Sequence, residues 1–142
     1  MTRRSRGREV ALQLLFQRDL NPDMPRAAVE EFARDRLLNK DDLVGFCLAL
    51  YDGVVAHGAD IDEKLAAAAE NWRLPRMAAV DRNVLRLGAF ELLFAAETPP
   101  KVVVDEAIEL VRRYSAKDSP AFINGVLDRL LKSRAPADLP SA

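Results

Sequence analysis

Apolar residues recur every three or four positions along most of this chain of 142 residues, which is the spacing of an amphipathic α-helix. The clearest stripe is formed by Ile123, Val126, Leu127, Leu130 and Leu131. Composition points the same way, because Ala and Leu together number 42 whereas Val, Ile and Thr number only 17. The sequence therefore predicts an all-α fold.

Seven helical segments are predicted, separated by proline, glycine and asparagine. They cover approximately residues 6–20, 25–39, 43–57, 60–72, 77–96, 102–114 and 118–132. We expect a compact bundle of about seven helices in a single domain, residues 1–134, with two subdomains of about 1–74 and 75–134. The last residues, 135–142, contain two prolines and predict a flexible tail.

Neither a membrane segment nor a secretory signal is predicted. No window approaches the ~20 uncharged apolar residues that a membrane helix needs, and the basic N-terminus lacks a hydrophobic signal segment. The single cysteine, Cys47, can form neither an internal disulfide nor a zinc site. These features predict a cytoplasmic protein.

Catalytic chemistry is not predicted either. Cys47 and His57 are the only residues of their types and lie ten positions apart on one predicted helix. That spacing separates them by about 15 Å along the axis, too far for a nucleophile and its base. Phosphate-binding loops and metal-ligand spacings are absent from the sequence. We expect no catalytic residues, no metal site and no cofactor.

Charge is distributed unevenly, although the formal net charge is only −1. Residues 1–18 contain five basic side chains and one acidic one, and residues 19–71 contain five basic and twelve acidic ones. Residues 72–134 are again basic, with eleven basic and eight acidic side chains. This asymmetry predicts a polyanion at one surface and a different partner at another.

The most basic segment is the N-terminus, where Arg3, Arg4, Arg6 and Arg8 fall within six residues. Guanidinium groups bind phosphates in bidentate fashion and stack on bases. Each neutralised phosphate releases counterions, so such contacts are salt-sensitive. The segment is a candidate nucleic-acid contact, and the alternative is a solvated terminus that only aids solubility.

A second candidate lies at the start of the last predicted helix. Phe122 falls off the centre of the apolar stripe, with Gly125 and Arg129 on its side, close to backbone N–H groups that attract anions. The Phe122 ring, the helix N-terminus and Arg129 together can bind a stacked base and its phosphate, so Phe122 and Arg129 are candidate RNA-binding residues. The alternative is a phenylalanine that fastens the helix start to a neighbouring helix.

The fifth predicted helix is apolar almost all round, so its charged residues are informative. Arg82 and Arg86 form an i, i+4 pair that can reach an outer surface, whereas Asp81 and Glu91 fall within the apolar sector. Because a buried charge is costly unless it is paired, both acids are expected to meet arginines from other elements.

Four segments together are similar to a known family. They are Arg8–Gln17, Asp81–Leu92, Pro100–Leu110, and Ser119 with Phe122–Asp128. In their order and at this chain length they resemble the motifs of the NusB family of bacterial transcription antitermination proteins. The resemblance covers nearly the whole chain, is weakest over residues 20–75 and is absent in the tail.

The resemblance implies an all-helical fold of two subdomains and a non-enzymatic role in RNA binding. Members of this family bind the boxA element of nascent RNA, notably in ribosomal RNA leaders, as single-stranded RNA. They do so with NusE, a ribosomal protein that also works outside the ribosome, and the complex joins RNA polymerase to suppress termination. Some members form homodimers that cover the RNA surface. The first predicted helix has a second apolar face, with Leu12 and Phe16, so a homodimer is also possible for this chain.

Carried over by position, the resemblance implies a set of RNA-binding residues. They are Arg3, Arg4, Arg6 and Arg8, with Asp118 and Phe122, and around the central helix Asp81, Arg82 and Arg86. The acidic middle of the chain implies that RNA affinity depends on NusE. A carboxylate near phosphates should cost affinity, so Asp118→Asn is predicted to tighten RNA binding.

Two other functions stay open on the sequence. One is a NusB-like module that positions RNA for an RNA methyltransferase, which would require a truncated chain. The other is a helical scaffold that binds only proteins, in which the basic N-terminus serves solubility.

Overall fold

A computed structural model describes residues 2–70, 74–95 and 97–133, and within these ranges the chain forms seven α-helices and no strand. The helices are α1 (Arg3–Leu20), α2 (Arg26–Arg36), α3 (Asp41–Ala56), α4 (Gly58–Ala68), α5 (Ala79–Phe94), α6 (Pro100–Tyr114) and α7 (Ser119–Ser133). A single 3₁₀ turn, Leu74–Arg76, precedes α5. The all-α prediction is confirmed, and the tail predicted over residues 135–142 lies outside the described residues.

The chain divides into two compact units. Unit 1, Met1–Ala56, contains α1 to α3, and α1 packs on both α2 and α3. Its core is built from the apolar faces of these helices, including the fully buried Val10, Leu14 and Cys47.

Unit 2, His57–Ala142, contains α4 to α7. Helix α5 packs on α4, α6 and α7, which makes it the central helix of this unit. Leu85 on α5, Leu65 on α4 and Leu127 on α7 are fully buried there. The sequence placed the subdomain boundary near residue 75, whereas α4 packs with α5 and α7 and so belongs with them.

Several helix ends differ from the sequence prediction, and local capping explains the start of α1. Helix α1 begins at Arg3 rather than near Arg6, because the Thr2 hydroxyl accepts a hydrogen bond of 3.1 Å from the Ser5 amide and caps the first turn. Helix α4 begins at Gly58 rather than near residue 60, and only His57 separates it from α3. The early start of α1 places all four N-terminal arginines on a helix.

No single helix in the described part of the chain has both the length and the apolar composition needed to cross a membrane. The consecutive helices α3 and α4 reach that length and composition only when they are taken together.

Candidate nucleic-acid interface

The first two turns of α1 carry the arginines that the sequence singled out. We call Arg3, Arg4, Arg6 and Arg8 the arginine surface. Arg3 and Arg4 are exposed and Arg6 is half-buried, whereas Arg8 is only 4% exposed. Cations at a helix N-terminus oppose the helix dipole, and the first turn of α1 contains no acidic residue to offset them.

Two carboxylates bind part of this charge. Both terminal oxygens of Asp42, at the start of α3, accept hydrogen bonds from Arg3 Nη2 at 3.0 and 2.9 Å. Both side chains are well exposed, so the pair contributes at most about 1 kcal/mol. Arg6 pairs with Glu9 one turn further along α1. Arg3 can therefore release Asp42 and bind another anion at a small cost in free energy.

Phe46 on α3 organises the other two arginines. The guanidinium carbon of Arg4 lies 4.6 Å from the centre of the Phe46 ring, and that of Arg8 lies 5.1 Å from it. Both distances are within the range of a cation–π interaction. Gly7 allows this approach, because a Cβ at that position would lie 2.8 Å from Phe46 Cδ2.

In unit 2, the start of α7 borders a cavity of about 300 Å³ that we call the Phe122 recess. Its walls are formed by Arg76, Met77, Ala78, Asp81, Asp118, Ser119 and Phe122. Phe122 is half-buried and lines the cavity. Asp118 is exposed, and within the described ranges no group donates a hydrogen bond to its carboxylate.

Asp81 and Ser119, which line this recess, form a small hydrogen-bond network with Ser115. Asp81 accepts hydrogen bonds from the hydroxyls of Ser115 (2.6 Å) and Ser119 (3.0 Å), and these two hydroxyls lie 3.0 Å apart. The expectation that Asp81 meets an arginine is therefore wrong. Two hydroxyl donors satisfy its half-buried carboxylate without a second charge.

The three predicted arginines of α5 and α7 all make internal contacts. Arg82 Nη1 donates to the carbonyls of Leu74 (3.3 Å) and Met77 (3.4 Å), which ties the 3₁₀ turn to α5. Arg129 Nε donates to the carbonyl of Ala68 (2.6 Å), the last residue of α4. Arg86 binds α4 in the same unit through Asp62. Their predicted contact with RNA stays a prediction.

Cys47 and His57 lie on different elements, so the prediction that one helix carries both is wrong. Cys47 is buried in α3, and burial raises the pKa of its thiol to about 12, so it is protonated at neutral pH. His57 precedes α4, and its ring stacks on Phe94 with centroids 4.0 Å apart. Among the described residues, no group of three or more His, Cys, Asp or Glu can hold a metal ion.

Comparison with known proteins places the chain in a family. The model of the NusB family matches residues 5–132. The chain belongs to the NusB family. It is 44% identical over 140 residues to the transcription antitermination protein NusB of Sorangium cellulosum, an alignment that covers 97% of this chain and 98% of that relative.

Solved structures of NusB proteins share the fold. Superposition on T. maritima NusB gives a TM-score of 0.83 at 34% identity and covers 96% of this chain and 95% of that one. A crystal structure of the antitermination factors NusB and NusE in complex with double-stranded RNA gives a TM-score of 0.84 at 28% identity. That superposition covers 94% of this chain and 99% of the matched chain. The family resemblance seen in the sequence motifs is confirmed. The comparisons support the antitermination interpretation and not the methyltransferase module.

Sequence reasoning missed three residues that shape the arginine surface. Phe46 and Asp42 reach it only after α1 has packed on α3, and Gly7, on α1 itself, permits the close contact with Phe46. One signal was present in the sequence: Gly7 lies within a run of helix-forming residues, where glycine costs about 0.5–1 kcal/mol relative to alanine. Such a glycine often marks a close approach to another element.

Proposed function

We propose that this chain is a transcription antitermination factor. In this proposal it binds boxA RNA of nascent ribosomal RNA transcripts together with NusE, and the complex joins the RNA polymerase elongation complex in the cytoplasm. The observation that carries the proposal is the NusB family match over residues 5–132, which spans both units. The proposed role requires RNA and protein binding only, and no catalytic group, metal or cofactor.

The arginine surface supports the RNA-binding part of the proposal. Arg3 and Arg4 are exposed, and they stand at a helix N-terminus whose own N–H groups also favour an anion. Phosphates would complement both the arginines and the helix dipole. The Asp42 carboxylate, bound by Arg3 in the free protein, occupies the position that a phosphate would take.

The Phe122 recess supports a contact with a base. Its volume of about 300 Å³ can admit one planar ring system, and the half-buried ring of Phe122 forms one wall. Single-stranded RNA offers unstacked bases that stack on aromatic side chains, whereas a duplex does not. Arg76 at the rim is exposed and supplies a positive charge beside the cavity.

The test is fluorescence anisotropy of a labelled single-stranded boxA RNA at two salt concentrations, with and without NusE, beside a duplex of the same sequence. The key variant replaces Arg3, Arg4 and Arg6 by alanine and leaves the buried Arg8 in place. Its charge-matched control replaces Lys101, Arg112 and Lys132, three exposed cations on α6 and α7.

We expect single-stranded boxA RNA to bind more tightly with NusE and more weakly in salt. The slope of log K against log salt should fall by about 2 in the Arg3, Arg4 and Arg6 variant, at roughly 0.7 for each lost phosphate contact on single-stranded RNA. The control variant should change it much less. Absence of binding with active NusE would contradict the proposal, and light scattering would then test for a homodimer that covers the surface.

A further inference from the structure

The contact between Phe46 and two arginines of the arginine surface has a feature that core packing does not explain. Phe46 is half-buried, and the Arg4 side chain that lies over its ring is exposed. An exposed arginine that only aids solubility needs no fixed partner. Here an aromatic ring from another helix holds its guanidinium 4.6 Å from the ring centre.

We propose that Phe46 is a positioning residue of the RNA-binding surface, which holds the guanidinium of Arg4 in the orientation in which it meets a phosphate. This inference rests on the proposed function. Arg8 supports the arrangement, because it is buried and its guanidinium carbon lies 5.1 Å from the centre of the same ring. Gly7, between the two arginines, lets the ring approach the helix.

The physical reason is side-chain entropy. An unrestrained arginine loses up to about 2 kcal/mol of rotamer freedom when a phosphate fixes it. A ring that restrains the guanidinium beforehand lowers this loss, because part of the ordering has already taken place in the free protein. The ring face also attracts the cation without neutralising it, so the guanidinium keeps its donors for the phosphate. A carboxylate partner would compete with the RNA, whereas a phenyl ring does not.

The experiment is a double-mutant cycle on RNA affinity, with labelled single-stranded boxA RNA and NusE present at low salt. The four proteins are the unmodified chain, Phe46→Leu, Arg4→Ala and the double variant. Phe46→Tyr serves as the conservative rescue, because it keeps the aromatic face. Gly45→Ala is the matched control on α3, since nothing lies within 4 Å of a Cβ at that position. Circular dichroism verifies that each variant is folded.

We expect Phe46→Leu to weaken binding about threefold, the factor that corresponds to ~0.7 kcal/mol at 1.4 kcal/mol per tenfold. In the Arg4→Ala background the same substitution should change affinity by less than about 1.5-fold, because the side chain that it positions is already absent. Phe46→Tyr and Gly45→Ala should bind like the unmodified chain. This pattern is specific to positioning, since a general loosening of the fold would weaken both backgrounds equally.

Gly7→Ala provides a second route if Phe46→Leu does not fold. It keeps the aromatic ring but displaces it, because the added Cβ would stand 2.8 Å from Phe46 Cδ2. We expect the same loss of affinity, again only when Arg4 is present. A loss of equal size with and without Arg4, in either variant, would overturn the inference.

The outcomes also separate this inference from the proposed function. Binding that depends on Arg4 but is indifferent to Phe46→Leu would overturn the inference and leave the proposed function standing. Absence of any RNA binding by the unmodified chain would overturn both. The geometry has a readout that needs no RNA: ring-current shifts of the Arg4 side-chain protons in NMR spectra, which Phe46→Leu should abolish and Phe46→Tyr should retain.

Discussion

Arg86 on α5 and Asp62 on α4 form a bidentate ion pair inside unit 2. Arg86 Nε donates to Asp62 Oδ1 at 2.9 Å and Nη2 donates to Oδ2 at 3.0 Å. A third bond, from Nη1 to the side-chain oxygen of the buried Asn83, measures 3.2 Å. The Arg86 side chain is only 20% exposed, so its guanidinium joins two helices of the unit.

We expect this ion pair to stabilise the folded protein. Arg86→Ala and Asp62→Ala should each lower the free energy of unfolding by about 1–2 kcal/mol, the range for a bidentate, partly buried pair discounted for solvent. The double variant should lose less than the sum, because the two side chains act on each other. Urea denaturation measures all four proteins. Strictly additive losses would contradict a direct interaction.

Arg86→Ala, together with a further variant, Asp62→Asn, also tests the predicted RNA contact of Arg86. Asp62→Asn removes the carboxylate charge but leaves the guanidinium, so RNA affinity should change little if Arg86 acts only within the unit. A loss of affinity confined to Arg86→Ala, measured where the variants are fully folded, would show that Arg86 contacts RNA directly.

The sequence predicted the helices well because their signals are local. Periodic apolar residues marked the core face of α7, and Ile123, Val126, Leu127 and Leu130 are all buried. The ends were less accurate, because one hydrogen bond from the Ser5 amide to the Thr2 hydroxyl moved the start of α1 by a turn.

The candidate site was only partly predictable. The four N-terminal arginines and Phe122 stood out by residue type, but the partners of other candidate residues lie far away along the chain. Asp62 is 24 positions from Arg86, and Ser115 is 34 positions from Asp81. Such pairs depend on how the helices pack, which periodicity does not specify. The basic charge of Arg86 suggested a surface contact, although the fold uses that charge to join α5 to α4.

Two glycines within helices should respond oppositely to the same substitution. A Cβ at Gly88 would lie 3.1 Å from Leu127 Cδ1, and Leu127 is fully buried, so close packing opposes the shift that the Cβ would require. Overpacking costs typically about 1–3 kcal/mol, against about 1 kcal/mol gained in helix propensity. Gly88→Ala should therefore destabilise by ~1 kcal/mol.

Gly45→Ala meets nothing within 4 Å and should stabilise by about 0.5–1 kcal/mol. Thermal unfolding followed by circular dichroism compares the two variants. Stabilisation by both would mean that α5 and α7 are not packed as closely as described.

Because Cys47 is buried, we expect the folded protein to lose stability at alkaline pH. Burial raises the pKa of its thiol from 9.0 to about 12. Between these pH values the thiol is deprotonated in the unfolded chain and protonated in the folded chain. The contribution of the buried thiol to the free energy of unfolding is therefore complete below pH 9 and is lost as the pH rises towards 12. The slope reaches at most about 1.4 kcal/mol per pH unit.

Urea denaturation between pH 7 and pH 11 compares the unmodified chain with Cys47→Ala. The variant should be less stable at pH 7 because it leaves a small cavity, and the difference should shrink above about pH 9. The raised pKa of Tyr51, due first to its burial, contributes equally to both proteins and cancels. A difference that stays constant with pH would contradict the buried thiol.

Asp118 should restrain RNA binding. Its carboxylate lies at the rim of the Phe122 recess, is exposed, and receives no hydrogen bond from the described parts of the chain. A phosphate brought to this rim would meet a like charge, at a cost of the order of 0.5–1 kcal/mol at an exposed site. Asp118→Asn removes the charge and keeps the size of the side chain. It should tighten boxA binding about two- to fivefold in the anisotropy assay.

The control for this change is Asp128→Asn, ten residues further along the chain and on α7, where the carboxylate already pairs with Lys132 at 3.0 Å. The control should leave affinity almost unchanged, which separates a local effect from the change in net charge. The gain for Asp118→Asn should also shrink as salt is raised, because screening weakens repulsion between exposed charges. Equal binding by Asp118→Asn would contradict the predicted restraint, and weaker binding would indicate that the carboxylate accepts a hydrogen bond from the RNA.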